Sequence, residues 1–325
     1  MTFEKILPMT TEYISPTHTE ESLMAKPVKA PFGYYGAKQN IARKIINTLP
    51  PHNAWVEGFC GSAALTLAKH PVPIEVINDL DGQIVNLFNQ LRNNSEALCR
   101  AVALTPYARE EFEQARAPFG ADLDPLERAR RFLVKTMMTV NGTYGSSGSG
   151  FSYSSSYARE GKEARVNRWY NLPARLEKVV DRLRGIRIEN RDALELIEMF
   201  RNRPATLMYL DPPYYTQTDH KYVIDANDRQ FHLNLLKACK RARCMLLISG
   251  YENDLYDEQL TQEDGWKKWI IETHTRDTSG KSYARSEVLW MNRQFQKAKL
   301  QGKIPILLRK KERYDNKINP PRGRD

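Results

Sequence analysis

Four cysteines among 325 residues, none in a Cys-x-x-Cys pair, provide neither a zinc-ligand spacing nor a disulfide framework. Cys60, Cys99, Cys239 and Cys244 read instead as reduced thiols, and the protein as cytoplasmic. No stretch approaches the roughly 18 consecutive apolar residues of a membrane span. Glu4 and Lys5 lead into a polar segment, which is not the apolar centre of a signal peptide. Gly-x-Gly-x-x-Gly is absent, as is Gly-x-x-x-x-Gly-Lys-Ser/Thr, so the phosphate cradles of dinucleotide and ATP sites are missing. Acids are scarce at the C-terminal end: Arg293 to Asp325 carries 11 Lys/Arg against 3 Asp/Glu, which is +8 of the total +10. Attraction to a polyanion is therefore expected mainly from that tail.

What is present describes a globular chain, 41% hydrophobic and 27% charged, long enough for one large α/β core with a smaller insertion. Residues 1–28, with Pro8, Pro16 and Pro27 and no apolar period, read as a weakly ordered leader. Gly33-Tyr34-Tyr35-Gly36-Ala37-Lys38 then opens a helix at Ile41, a corner suited to an anion. Ala54 to Glu57 reads as a strand, Gly58 to Ser62 as a turn, Ala63 to Lys69 as a helix, and Ile74 to Ile77 as a second strand ending at Asp79. Gly61 and Asp79 are 18 positions apart, close to the spacing of about 20 at which such an acid binds ribose hydroxyls. An adenosine-bearing ligand without a required phosphate contact fits this unit better than NAD or ATP.

Ile186 to Asp192 returns to strand character, and Ala193 to Phe200 to helix. The apolar run Thr206 to Leu210 ends at Asp211-Pro212-Pro213-Tyr214-Tyr215. The prolines fix φ and donate nothing, so the Asp211 carboxylate and the Pro212 carbonyl form an acceptor-rich tip beside the Tyr214 ring. Such a tip suits a flat ligand bearing an NH2 group. A helix from Arg229, a strand from Cys244 to Ile248, and two antiparallel edge strands near Trp266–Thr273 and Glu287–Met291 complete the pattern. Strands alternating with helices, with acids at successive strand ends, predict an open, doubly wound sheet with its ligand crevice along those ends. Residues 95–184 are mostly helical. Within them a Gly/Ser-rich segment interleaves aromatics with cations, and Asn141, Tyr144, Phe151, Arg159, Lys162, Arg165 and Arg168 are the expected nucleic-acid contacts.

These pieces, in this order, resemble the Dam-type (alpha-class) DNA N6-adenine methyltransferases. The resemblance rests on Phe32 to Lys38, on Val56-Glu57-Gly58-Phe59-Cys60-Gly61-Ser62-Ala63, on Asn78-Asp79, on Asp211 to Tyr214, and on Glu287-Val288-Leu289 with Asn292. It implies a Rossmann-like, doubly wound methyltransferase sheet with an inserted, mostly helical target-recognition domain. The expected divisions are 29–94 and 185–292 for the catalytic domain, 95–184 for the insertion and 293–325 for the basic tail. It further implies S-adenosylmethionine as cofactor without a metal, double-stranded DNA as partner, no membrane, and a monomer or weak dimer. Tyr34, Lys38, Phe59, Gly61, Asp79, Asp192 and Asp211 would form the cofactor site. Asp211, Pro212 and Tyr214 would act on the adenine. Gly58 stands where the family has proline, Ala63 where it has glycine, and the segment between Gly142 and Gly150 has no arginine to read guanine. Methylation of adenine in structured RNA, and a non-catalytic nucleic-acid-binding module, stay open as alternatives. A glutamine-directed enzyme would resemble Asn-Pro-Pro-Tyr, with Asn where Asp211 stands.

Overall fold

A computed structural model describes residues 27–34, 36, 38–118, 120, 122–140, 143–144, 150–154, 158–215, 229–276 and 282–305. Residues 1–26 of the expected leader, most of the Gly/Ser-rich segment with Asn141, and the end of the basic tail lie outside these residues. Seven strands form the main sheet: β1 (Ala54–Glu57), β2 (Ile74–Asn78), β3 (Ile186–Glu189), β4 (Thr206–Leu210), β5 (Met245–Gly250), β6 (Lys267–Arg276) and β7 (Ser282–Met291). Their order is β6-β7-β5-β4-β1-β2-β3. Strands β1 to β5 are parallel, and β7 runs antiparallel between β5 and β6. The expected antiparallel pair is there, but only β6 is an edge; β7 is interior, and its residues Val288 to Trp290 are fully buried. A strand covered on both faces needs apolar residues at every position, which Val288-Leu289-Trp290-Met291 supplies.

Twelve α-helices pack around the sheet among the described residues: α1 (Ala42–Ile46), α2 (Ala64–Ala68), α3 (Gly82–Asn93), α4 (Ser95–Leu104), α5 (Arg109–Arg116), α6 (Pro125–Met137), α7 (Ala164–Tyr170), α8 (Leu172–Leu183), α9 (Ala193–Phe200), α10 (Arg229–Lys240), α11 (Asp254–Gln259) and α12 (Arg293–Gln301). The strand period of two divides the central core. Trp55, Leu207, Tyr209, Met245 and Leu247 face α1, α2 and α12. Val56, Met208, Leu210, Leu246 and Ile248 face α9, α10 and α11. Phe295 and Ala298 of α12 are buried, so residues 293–301 are part of the fold although their charge had placed them in the tail. Asn292 explains the start of α12: its Oδ1 accepts from Phe295 N at 3.0 Å and from Leu246 N at 3.0 Å, while its Nδ2 donates to the Cys244 carbonyl at 2.9 Å. One side chain thus caps a helix and closes the gap between β5 and β7.

The helical segment does not build an isolated core. Ile77, Ile84, Phe88, Phe112, Phe132, Trp169, Leu176 and Ile186 belong to one buried cluster, which joins α3 to α4–α8 and the β3 edge. Arg182 of α8 reinforces this contact, donating to Glu75 of β2 at 2.5 and 2.8 Å and to the Thr66 carbonyl at 2.9 Å. Lys69 holds the same Glu75 at 2.7 Å. With two cations on one buried carboxylate, removing Glu75 would strand both. The helical segment is therefore anchored to the sheet by charge as well as by apolar area.

Candidate active site

The chain runs outward from β1 to β3, then returns to place β4 on the other side of β1. Strand order reverses there, and in open α/β sheets the ligand crevice lies outside the carboxyl ends at such a point. A cleft of about 1020 Å³, counted with its open mouth, occupies that position. Tyr34, Lys38, Phe59, Gly61, Asp79, Asp192, Asp211, Pro212 and Tyr214 all line it, so every residue expected at the cofactor and the reacting base converges on one cavity.

The floor is the turn after β1. Cys60 N donates to the Asn78 carbonyl at 2.8 Å, and Gly61 N to Asp79 Oδ2 at 2.8 Å. Gly61 has φ +48°, and an added Cβ would lie 2.9 Å from Tyr34 Cδ1, so the ring rests where only glycine leaves room. Ala63 has φ +54°, the left-handed conformation that glycine adopts freely and alanine at a cost of about 1 kcal/mol. The turn thus keeps its shape without the family's glycine. Gly58 donates its N–H to the Tyr209 carbonyl at 2.9 Å, and a Cβ there would sit 2.7 Å from Leu210 Cδ2. Proline at 58 would lose the bond and crowd the end of that side chain.

Asp79 stands at the end of β2 as the spacing predicted. Its Oδ1 accepts from Asp81 N at 3.0 Å. Burial pushes its carboxyl up to about 6, against the pull of the backbone bonds from Asp81 and Gly61. Asp192 caps α9, its Oδ1 accepting from Leu194 N at 2.6 Å while the residue still lines the cleft. Glu57, Asn78 and Ser62 are among the lining residues that were not anticipated. Glu57 is buried, accepts from Thr66 N at 3.0 Å and from the Thr66 hydroxyl, and is pushed up to about 7 by burial. Asn78 ties loops together, donating to the Gly58 and Arg191 carbonyls at 2.9 and 3.1 Å and accepting from Arg191 N at 2.9 Å. Ser62 lines the cleft with its buried Oγ unpartnered among the described residues. A buried hydroxyl without a partner is costly, and a polar ligand in the cleft would supply one.

The wall at β4 is a charged network. Lys38 Nζ lies 2.8 Å from both Asp211 oxygens and 3.4 Å from Glu287, and donates to the Gly36 carbonyl at 3.0 Å and to the Tyr214 hydroxyl. Ser249 donates to Asp211 Oδ1 at 2.8 Å and exchanges a 2.7 Å bond with the Tyr209 hydroxyl. The Tyr214 hydroxyl reaches Glu287 Oε2 at 3.2 Å. Burial is the largest single influence on Lys38 and lowers its pKa, but Asp211, Tyr209 and Glu287 together outweigh it and the net shift is upward. Glu287 is pushed up to about 7 by burial, with Lys38 pulling down and Asp211 pushing up. The two directions are compatible: one ammonium balances the nearer carboxylate, and Glu287 is the surplus acid. Lys38 is therefore committed to carboxylates, and the anion-binding corner read from its sequence context is not formed.

The expected nucleic-acid contacts separate. Phe151 is half-buried against Tyr107 and Phe112, with ring centroids at 5.2 and 5.8 Å, so it packs the helical core. An aromatic in a Gly/Ser-rich stretch is pulled inward by the apolar area it removes from water. Lys162 is exposed over the Tyr170 ring at 4.7 Å. Arg165 and Arg168 are half-buried on α7. Arg175 of α8 joins them: its pKa is pushed down to about 10, first by burial and then by Arg168. Asn141 and the side chains of Tyr144 and Arg159 lie outside the described residues.

A sequence model of the D12 class N6 adenine-specific DNA methyltransferases matches residues 34–276. The chain belongs to that family. Its sheet and helices form the α/β fold that the resemblance implied. Solved methyltransferase structures overlap it only loosely. A Haemophilus influenzae protein described as a methylase is 10% identical over 82% of this chain and 98% of its own, with TM-score 0.35. An S-adenosylmethionine-dependent methyltransferase from Agrobacterium tumefaciens is 12% identical over 78% and 60%, at 0.35. A Pyrococcus horikoshii protein described as an RNA methyltransferase is 7% identical over 78% and 79%, at 0.33. A comparison with curated proteins gives no match. Among the described residues of this family member, no three His, Cys, Asp or Glu are grouped to hold a metal, and no helix is long and apolar enough to cross a membrane.

Proposed function

We propose that the cleft binds S-adenosylmethionine and that the chain moves its methyl group to the N6 amino nitrogen of an adenine turned out of double-stranded DNA. The observation that carries this reading is Asp211, fixed at the switch-point end of β4 by Lys38 and Ser249 with the acceptor-only Pro212 beside it. The cofactor fits the residues present: Asp79 offers acceptors for ribose hydroxyls, Asp192 and the Phe59–Gly61 turn flank the adenosine, Tyr34 offers a ring face, and the Ser62 hydroxyl lacks a partner among the described residues. When bound, it supplies an electrophilic methyl on a sulfonium sulfur.

Extrusion of the base costs roughly a few kcal/mol, to be met by phosphate contacts from Lys162, Arg165 and Arg168. Lys38 and Ser249 both donate to Asp211 Oδ1. Of about four acceptor sites on a carboxylate, those of Oδ2 leave room for an N6 hydrogen, and the Pro212 carbonyl takes the other. Held this way, the nitrogen presents its lone pair outward. With the cofactor bound, its sulfonium would supply the methyl in exchange for a neutral thioether, and the proton displaced from N6 would pass to solvent. Asp211 stabilises the positive charge that develops on that nitrogen.

Asp211→Ala is expected to bind the cofactor within a few-fold of wild type and to lose at least about 10²-fold in transfer, measured with labelled cofactor on duplex DNA. Undiminished methylation by this variant would remove the assignment. Parallel reactions on duplex DNA and on structured RNA decide the substrate.

A further inference from the structure

Outside the cleft, cations gather along the outer face of α10 without matching acids. That helix buries His232, Leu235, Leu236 and Cys239. Gln230, Asn234, Lys237 and, just past its end, Arg241 are exposed and recur at the spacing of one helical stripe. With Lys240 and Gln259 they line a groove of about 830 Å³, counted with its open mouth, and among the described residues no carboxylate lines it. Lys240 is paired with Asp264 at 2.8 Å; Lys237 and Arg241 are in no ion pair with a described residue. The row continues beyond the helix. Arg243 N and Cys244 N donate to the Arg201 carbonyl at 2.7 and 3.0 Å, which sets the exposed Arg203 near the exposed Arg243. Glu198 holds Arg201 at 2.7 Å, and no described carboxylate is paired with Arg203 or Arg243.

Exposed cations in a line, with amides between them, suit a polymer of regular negative charge; a single phosphate calls for donors that converge on one point. From Asn234 to Arg241 the chain rises about 10 Å, the axial length of about three nucleotides of one DNA strand. We propose that this stripe holds the phosphate backbone of a second DNA segment while the cleft holds the first. The choice of DNA rests on the reading of the cleft as a DNA methyltransferase site. Position argues for a separate segment. α10 starts beside the cleft, which Phe231 lines, and its 12 residues carry the stripe about 18 Å away, toward the amino end of β5. A duplex seated at the carboxyl ends of the strands would have to double back within a few base pairs to follow it, against a persistence length of about 150 bp. Two contacts let the chain pass between segments without release to solvent, and a stripe that holds phosphates alone accepts any sequence.

The test compares wild type with the double variant Lys237→Gln/Arg241→Gln and a charge-matched control, Lys297→Gln/Lys299→Gln, whose lysines are exposed on α12 over the other face of the sheet. Protein is loaded onto a bead-bound duplex, unbound protein is washed away, and binding of a labelled second duplex is measured over a range of salt. Wild type and the α12 control are expected to retain it. The stripe variant is expected to retain at least about fivefold less, and its slope of log binding constant on log salt to fall by about two, one for each phosphate contact removed. Its KM for a short duplex, with labelled S-adenosylmethionine, is expected to stay at the wild-type value, and its thermal melt likewise. No retention by wild type, or equal retention by wild type and the stripe variant, overturns the proposal. An equal loss in the α12 control overturns it too, because net charge and not place would then be the cause. A KM that rises in step with the lost retention does the same, marking the stripe as part of the first duplex's path. Capture needs no methyl transfer, so a wild type that binds cofactor and methylates neither DNA nor RNA removes the functional reading while the capture result still decides the stripe.

Discussion

Lys38→Met tests the network at its centre. Methionine keeps most of the side chain's length but removes an ammonium that touches both oxygens of Asp211 at 2.8 Å, Glu287 at 3.4 Å and the Gly36 carbonyl at 3.0 Å. The buried Glu287 and the half-buried Asp211 are then left facing each other with Ser249 and Tyr214 as donors. Breaking a buried pair by removing one partner costs about 3–5 kcal/mol, a large part of the roughly 5–15 kcal/mol that holds a domain together. The sign with pH follows from the raised groups. The Lys38 proton is held beyond its ordinary value of 10.5, so its contribution is fully present in wild type throughout the neutral range. In the variant, Glu287, already raised to about 7, loses the cation that pulled it down and rises further. The folded variant then binds more protons than the unfolded chain, and its stability rises as pH falls. One such carboxyl regains about 1.4 kcal/mol per pH unit, so roughly 2–3 kcal/mol of the loss returns between pH 8 and pH 6. Urea unfolding at both pH values, followed by tryptophan fluorescence, measures this directly. Adding Glu287→Gln removes the surplus charge and is expected to recover about 1–3 kcal/mol at pH 8. A loss below about 1 kcal/mol, equal at both pH values and additive with Glu287→Gln, would refute the network as drawn.

Other consequences follow from the same geometry. Gly61→Ala places a methyl at φ +48° and 2.9 Å from the Tyr34 ring; it is expected to cost about 1–2 kcal/mol in thermal unfolding and to weaken cofactor binding by calorimetry. Because the Asp79 carboxyl sits at about 6, cofactor affinity should be level above pH 7 and fall up to about tenfold per unit below 6 as the acceptor is protonated; Asp79→Asn should flatten that profile. Phe151→Ala is expected to destabilise by about 2–4 kcal/mol, because the ring packs on Tyr107 and Phe112, whereas Lys162→Ala should leave stability unchanged and reduce the salt dependence of DNA binding in filter retention.

Local signals in the sequence suffice for the strands of the sheet and for the acids at their ends. Thr206–Leu210 and Ala193–Phe200 are legible because each is bounded by residues that stop it and has a period matching its structure. Asp79 and Asp211 are legible because an acid at a strand end, followed by a fixed turn, has only one crevice to face. What tertiary structure alone decided depends on groups that meet across long separations. The pairing of Lys38 with Asp211 joins residues 173 positions apart, and no spacing rule announces it; a lysine beside two glycines reads as an anion site until the sheet brings carboxylates to it. Glu287 becomes a surplus acid only because β7 is interior, and β7 is interior only because β6 continues past it. Phe151 turns inward for apolar area that exists only once α5 and α6 are packed. Tyr251 packs on Tyr214 because β5 ends beside β4.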